Sequence, residues 1–363
     1  MTSNQGMKTI LITPLDWGLG HATRCIPIIQ EFLKRKCTVL IGGSGDSMRL
    51  LKSEFPELEY FELPGYRPVY PSQGSMVIKM ALQVPRFMKV IIEEHKRIQI
   101  IIKRHQVDLV ISDNRYGCWS QAVPSVFITH QLNILMPKGF GWLQNLVDNF
   151  NRKLIKNFSH CWIPDYVEHE RSLAGELSRH HGNHNVTYIG PLSRFSKLEA
   201  NESKGQTTRF DVTCILSGPE PQRSIFEKIL RRQLKDSGLR YLIVTGVFSP
   251  EMKASDNGTD VLTSEKLYSV ISQSAMVIAR SGYSTIMDLA ALGKKAILVP
   301  TPGQTEQEYL ADRFHLQRLF LCMHQHSFDL KVALGEAKNF TGYIFDGERS
   351  IGLLSQAIDK ILK

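Results

Sequence analysis

Residues 8–28 read "KTILITPLDWGLGHATRCIPI". An apolar run, "KTILIT" (8–13), meets two glycines and a histidine and then passes into a helix-like segment over 21–36. A strand that turns on glycine into a helix is the opening unit of a doubly wound α/β fold. The same unit recurs along the chain. Apolar runs follow at 37–42, 107–112, 124–129, 160–164 and 186–190. Unbroken Val/Ile/Leu runs, without alternation, point to parallel strands covered on both faces. Segment 76–105 reads as two helices or one kinked at Pro85. The polar stretch "SRFSKLEANESKGQTTR" (193–209) reads as a linker. After it the pattern restarts at 210–218, 240–246, 275–282 and 295–300. The expected architecture is therefore α/β: two doubly wound Rossmann-like domains, 7–192 and 210–348, facing each other across a cleft. The last helix, 349–363, could join either domain.

Composition narrows the classes. The 363 residues are 42% hydrophobic and 22% charged, as in a globular protein with real cores. The opening "MTSNQG" has no basic-then-apolar leader, no apolar run is long enough to span a bilayer, and the six cysteines form no CxxC pair. The expectation is a cytoplasmic protein with buried thiols. A net charge of +9 favours anionic partners. With no arginine-rich tail and no interleaved aromatic motif, nucleic acid is not expected.

The first turn fails two phosphate motifs. Gly18 and Gly20 suit G-x-G-x-x-G, but position 23 is Thr and the second strand ends "IGGSG" without an acid. "GGSGDSMR" (42–49) lacks the Lys-Ser/Thr pair of a Walker loop. What remains is a turn that sets His21 at the first position of a helix, where the helix field disfavours an imidazolium. A neutral imidazole facing a cleft suits a general base; a capping or packing histidine is the plainer alternative. Asp113 ends the run "VDLVIS". Strand carboxyl ends share one sheet edge, so Asp113 is expected beside His21, fixing its tautomer. A loop or N-cap aspartate is the alternative there.

The most specific stretch is 279–311, "ARSGYSTIMDLAALGKKAILVPTPGQTEQEYLA". A strand runs through Arg280, Ser281 and Gly282 into a helix. Gly282 lets a ligand approach, and the amides of 282–285 with the Ser284 and Thr285 hydroxyls form an anion site suited to a diphosphate. Arg280 adds charge, and Asp288, one turn on, can accept from two adjacent hydroxyls.

This segment resembles the donor-binding region of GT-B glycosyltransferases, especially the MurG-like enzymes of family 28 and the UDP-glycosyltransferases. The resemblance implies that Arg280, Ser284 and Thr285 contact the phosphates. It implies that Asp288 holds the ribose diol, and that Glu306 and Gln307, after Gln304, contact the sugar. "GLGHATR" (18–24) is similar to the family's GxGHxxR/P turn, which implies that His21 is the base and Asp113 its partner. "ILSGPEPQR" (215–223) resembles the glycine loop opening the second domain, with Ser217 and Gly218 near the diphosphate. The family's pattern carries Glu where this chain has Asp288, and Asn where it has Leu310.

The resemblance implies an inverting glycosyltransferase that needs no metal and no cofactor. Its donor is a nucleotide-diphosphate sugar, UDP-linked as the leading reading, held by the second domain. Its hydroxyl acceptor sits in the first domain, between loops 64–75 and 114–140. A lipid-linked acceptor would suit a cell-envelope glycan and peripheral contact with the inner face of a membrane. Segment 140–158 spaces Trp142, Leu146, Phe150, Leu154 and Phe158 by four, beside Arg152, Lys153 and Lys156. It could lie on a membrane, although a helix packing its apolar stripe inward is the expected reading. "HHGNH" (180–184) lacks a carboxylate or thiolate at ligand spacing and reads as a solvated loop. Alternatives are a nucleotide-sugar hydrolase, which "GLGHATRC" also resembles, a non-hydrolysing epimerase, and a non-catalytic nucleotide-sugar-binding protein.

Overall fold

The structure is a computed structural model that describes residues 7–71, 76–137, 139–180, 185–196, 208–248 and 258–363. Most of the linker and most of "HHGNH" lie outside the described residues.

Two parallel sheets carry the chain. The first holds β1 (Thr9–Pro14), β2 (Thr38–Gly43), β3 (Glu59–Glu62), β4 (Leu109–Asp113), β5 (Ser125–Ile128), β6 (His160–Ile163) and β7 (Val186–Tyr188), ordered β3-β2-β1-β4-β5-β6-β7. Its helices are α1 (Leu19–Lys34), α2 (Gly45–Glu54), α3 (Met76–Ala81), α4 (Val84–His105) and α5 (Gln144–Ile155). The second holds β8 (Phe210–Ile215), β9 (Tyr241–Val244), β10 (Gly258–Thr259), β11 (Ser274–Ala279), β12 (Ala296–Leu298) and β13 (Leu321–Cys322), ordered β10-β9-β8-β11-β12-β13. Around it run α6 (Gln222–Leu234), α7 (Ser264–Ser272), α8 (Tyr283–Ala291), α9 (Thr305–Leu316), α10 (Leu330–Glu336) and α11 (Gly347–Leu362).

The central strands β4 and β5 are buried at every position, which is why their sequences show no alternation. The order of each sheet reverses once, between β1 and β4 and between β8 and β11. Crevices at such reversals, outside the strand carboxyl ends, are where open α/β sheets bind ligands. His21 and Asp113 flank the first reversal, and Ser217 and Arg280 flank the second.

Three features differ from the sequence expectation or sharpen it. Edge strand β3, "EYFE", exposes Glu59 and Glu62 and lacks the apolar run that marks its neighbours. The α3–α4 break falls at residues 82–83, and Pro85 sits in the first turn of α4, where a missing N–H costs nothing. The third is a correction. The first half of the 140–158 stripe does not pack inward: Trp142, Leu146 and Phe150 are 78%, 66% and 45% exposed, while Asp148, Asn151 and Ile155 are buried and only Phe158, at the far end of the stripe, joins the core. The buried polar side chains explain this orientation. Asn151 donates to the carbonyls of Gln131 and Leu132 and accepts from Tyr116, and Asp148 accepts from Ile134 N and Gln144 Nε2. The helix is fixed by its amide and carboxylate face, so Leu146 and Phe150 on the opposite side point out.

The last helix returns to the first layer. Arg35, just past the end of α1, bonds Asp359 and Ser355 on α11.

Candidate active site

The first turn places its histidine by two backbone constraints. Gly18, at φ +91°, takes the left-handed conformation that ends β1 and caps α1. Register then sets Asp113 beside Pro14 across the β1–β4 pair. His21 Nδ1 lies 2.6 Å from Asp113 Oδ1, so Nδ1–H donates to the carboxylate and the lone pair is left on Nε2. Nε2 meets no hydrogen-bonding group among the described residues, and the side chain is 17% exposed. Burial alone would raise the Asp113 carboxyl. The adjoining Arg24 and His21 outweigh it and hold it at about 2. Arg24 reaches both carboxylate oxygens, Nε to Oδ2 at 2.6 Å and Nη2 to Oδ1 at 2.5 Å.

The second turn is built from the reversal between β8 and β11. Gly282 caps α8, whose first turn carries Ser284 and a partly exposed Thr285. Arg280 is buried against the Phe226 ring, 4.4 Å from its centroid. It donates to the carbonyls of Val299, Pro300 and Gln222 and to Gln325 Oε1. No carboxylate pairs with it among the described residues, and burial pulls its guanidinium down to about 9. Four buried polar atoms at this sheet edge take no partner from the described residues: Arg280 Nε, Thr245 Oγ1, Thr301 Oγ1 and Gln304 Oε1. Buried groups of this kind are normally satisfied, so their clustering marks a place where a polar ligand can complete them. Gly218, at φ +97°, turns beside Thr301.

Other candidates are already engaged. Ser281 donates to Gln307 O, and Gln307 Oε1 accepts from Thr301 N. Asp288 accepts from Ser193 and Arg194, and burial raises its carboxyl despite them. Glu306 receives His130 Nε2 at 2.8 Å and the Gln131 amide. Burial would raise Glu306; the charges of His130, His21 and Arg24 hold it below the usual carboxylate range. His21 and Glu306 are thus close enough to feel each other's charge.

The two turns meet directly. Ser284 Oγ donates to Gly20 O at 2.9 Å, and Tyr283 Oη to Pro164 O at 2.6 Å. Beside this contact a cavity of about 700 Å³ opens between the sheets. Trp17, Gly18 and Arg67 line it from the first domain, and Ser217, Gly218 and Arg223 from the second. Trp17 also packs on Tyr70 and Phe87, with Tyr66 on Phe87, forming an aromatic wall over loop 64–71.

Sequence reasoning missed Arg24 and His130. Both carried a readable signal. His130 lies two residues past the end of β5, on the same sheet edge as Asp113. Arg24 is a charged residue inside the largely apolar buried face of α1, one turn after His21.

Comparisons with known proteins bear on the fold and the class of protein. Residues 249–333 match the model of the glycosyltransferase family 28 C-terminal domain. An uncharacterized glycosyltransferase of Methanosarcina mazei is 24% identical over 315 residues, 82% of each chain. A UDP-N-acetylglucosamine–N-acetylmuramyl-(pentapeptide) pyrophosphoryl-undecaprenol N-acetylglucosamine transferase of Methylorubrum extorquens is 48% identical over 44 residues, 12% of each chain. Among solved structures, the glycotransferase of kitacinnamycin superposes with a TM-score of 0.61 at 14% identity, covering 99% of this chain and 100% of that one. The fold is that of GT-B glycosyltransferases, and the matched domain and curated relatives support transferase activity.

Proposed function

We propose that the protein is an inverting, metal-independent glycosyltransferase that moves a sugar from a UDP-linked donor in the second domain to a hydroxyl acceptor in the first. The observation that carries this reading is the His21–Asp113 pair, its Nε2 lone pair uncommitted, beside the contact with the α8 mouth. In this reading Nε2 takes the proton of the acceptor hydroxyl. The oxygen attacks the anomeric carbon from the face opposite the diphosphate. The bond from that carbon to the phosphate oxygen breaks, and the electron pair leaves on the diphosphate. The α8 amides and Arg280 stabilise that charge as it develops. Asp113 steadies the imidazolium.

The relative matched over 44 residues acts on a UDP-sugar, which favours UDP among nucleotides. The aromatic wall of Trp17, Tyr70 and Phe87 suits an acceptor with an apolar part. The outward face of Trp142, Leu146 and Phe150, beside Arg152, Lys153 and Lys156, suits an anionic membrane surface carrying a lipid-linked acceptor.

Calorimetric titration with UDP, GDP and dTDP tests the donor site. Saturable binding of UDP, lost in Asp288→Ala, is expected. Binding of none would remove the donor site and overturn this reading. Full-rate release of UDP and free sugar without acceptor would favour hydrolysis over transfer.

A further inference from the structure

We propose that Arg24 is a positioning residue that ties the base pair of the first domain to the sugar-binding acid of the second, by fixing which nitrogen of His130 donates to Glu306. This rests on the reading above that Glu306 faces the donor sugar.

Arg24 is 1% exposed and lies against three partners at once, Asp113, His130 and His21, whose Nδ1 is 2.9 Å from Nη2. Its Nε and Nη2 clamp the two oxygens of Asp113. Its Nη1 lies 3.0 Å from His130 Nδ1. A guanidinium has only donors and a carboxylate only acceptors, so Arg24 on Nδ1 and Glu306 on Nε2 together make His130 Nδ1 the acceptor and put the ring proton on Nε2. That nitrogen is the one 2.8 Å from Glu306 Oε1. The ring cannot swing away, because it stacks on Tyr283 with centroids 4.2 Å apart and planes 6° from parallel. Tyr283 is itself anchored to Pro164 O. The polar and charged groups around His130 are Arg24, His21, Gln131, Tyr283 and Glu306.

The consequence falls on Glu306. With His130 on one oxygen and the Gln131 amide on the other, the carboxylate is held as an anion in one orientation. Each oxygen keeps a further lone pair, the arrangement needed to accept from two hydroxyls of a sugar. Arg24 also holds Asp113, so one planar side chain sets the proton acceptor and the sugar acid in register across the domain boundary. Lysine could neutralise Asp113, but its single nitrogen could not hold both carboxylate oxygens and also supply His130.

The test uses the full chain, without ligand, with histidine rings labelled in nitrogen-15. Ring spectra at neutral pH are compared for wild type and Arg24→Lys, with the His130 signals assigned by their loss in His130→Gln. The wild type is expected to show the His130 proton fixed on Nε2; in Arg24→Lys it exchanges between both nitrogens. An unchanged spectrum in Arg24→Lys overturns the proposal. Should that variant fail to fold, Glu306→Ala, at a partly exposed position, decides it. The Nε2–H form must persist there, because Arg24 imposes it; its loss would assign control to Glu306 instead. Calorimetry adds a second readout. Arg24→Lys should weaken UDP-N-acetylglucosamine about tenfold and leave UDP within about twofold, the scale of one charge-assisted hydrogen bond. Equal sugar-nucleotide affinities in the two proteins would overturn the coupling. A wild type that binds neither would end the donor reading, and the ring spectra would still decide the role of Arg24.

Discussion

Ser284 Oγ donates to the carbonyl of Gly20 at 2.9 Å, so two glycine turns 264 residues apart in sequence are in contact. The approach is that close because Gly20 has no side chain. A Cβ there would sit 2.9 Å from Ser284 Oγ and 3.2 Å from its Cβ. Gly20→Ala is expected to destabilise the protein by about 1–3 kcal/mol, the cost of overpacking a tight contact. Ser284→Ala in the same chain should recover part of it. Urea unfolding of the two single variants and the double variant measures this; additive effects would show that the turns do not touch in solution.

His21→Ala should lower the transfer rate about 100- to 10,000-fold, the range for losing a general base. UDP affinity should stay unchanged, since the second turn is built without His21. Steady-state rates and calorimetry on one preparation separate the two. Parallel loss of both would place His21 in binding instead.

The Asp113 carboxyl is depressed to about 2 in the fold, against about 3.9 in an unfolded chain. A depressed carboxyl contributes stability that is present above its unfolded value and lost as pH falls through its folded value. For Asp113 this is about 2–3 kcal/mol at neutral pH, fading between about pH 4 and pH 2. The stability gap between wild type and Asp113→Asn should therefore narrow across that window. Urea unfolding at several pH values measures the gap, and a constant gap would refute the assigned depression.

Arg280 carries a buried charge with no carboxylate beside it among the described residues. An anionic ligand is its natural counter-charge. Arg280→Met is expected to weaken UDP binding about 10- to 100-fold, the scale of one or two charge-assisted hydrogen bonds. The rise in melting temperature that UDP gives the wild type should shrink accordingly. An undiminished rise would mean that Arg280 serves only the local carbonyls.

Trp142 and Phe150 stand outward from α5 and the turn before it. If that face meets lipid, Trp142→Ser with Phe150→Ser should lower binding to anionic vesicles at least about a hundredfold, at about 1.5–3 kcal/mol per buried aromatic. Sedimentation with vesicles measures it. Wild type that stays in the supernatant would rule out the membrane contact.

Much of the site was legible because its chemistry sits next to backbone signals. Glycine before a helix marks a turn whatever the tertiary setting, and an apolar run marks the strand before it. His21, Asp113, Arg280 and Ser284 all lie within a few residues of such a signal. The edge strand β3 was not legible, because a half-exposed strand of four residues leaves no apolar run. The outward turn of α5 was not legible either. Spacing identifies an apolar stripe, but the loop at 131–136 decides which face is buried by bonding Asn151 and Asp148.

By itself the sequence determined the class of fold, the two parallel sheets and the residues at most of the central strand ends, because parallel strands and helix caps are local in composition and spacing. Only the tertiary structure decided which of those residues meet. The Asp113–Arg24–His130–Glu306 chain joins β4, α1, the segment after β5 and the start of α9. No spacing in the sequence encodes that path, because it depends on how two separately wound sheets bring their carboxyl edges together.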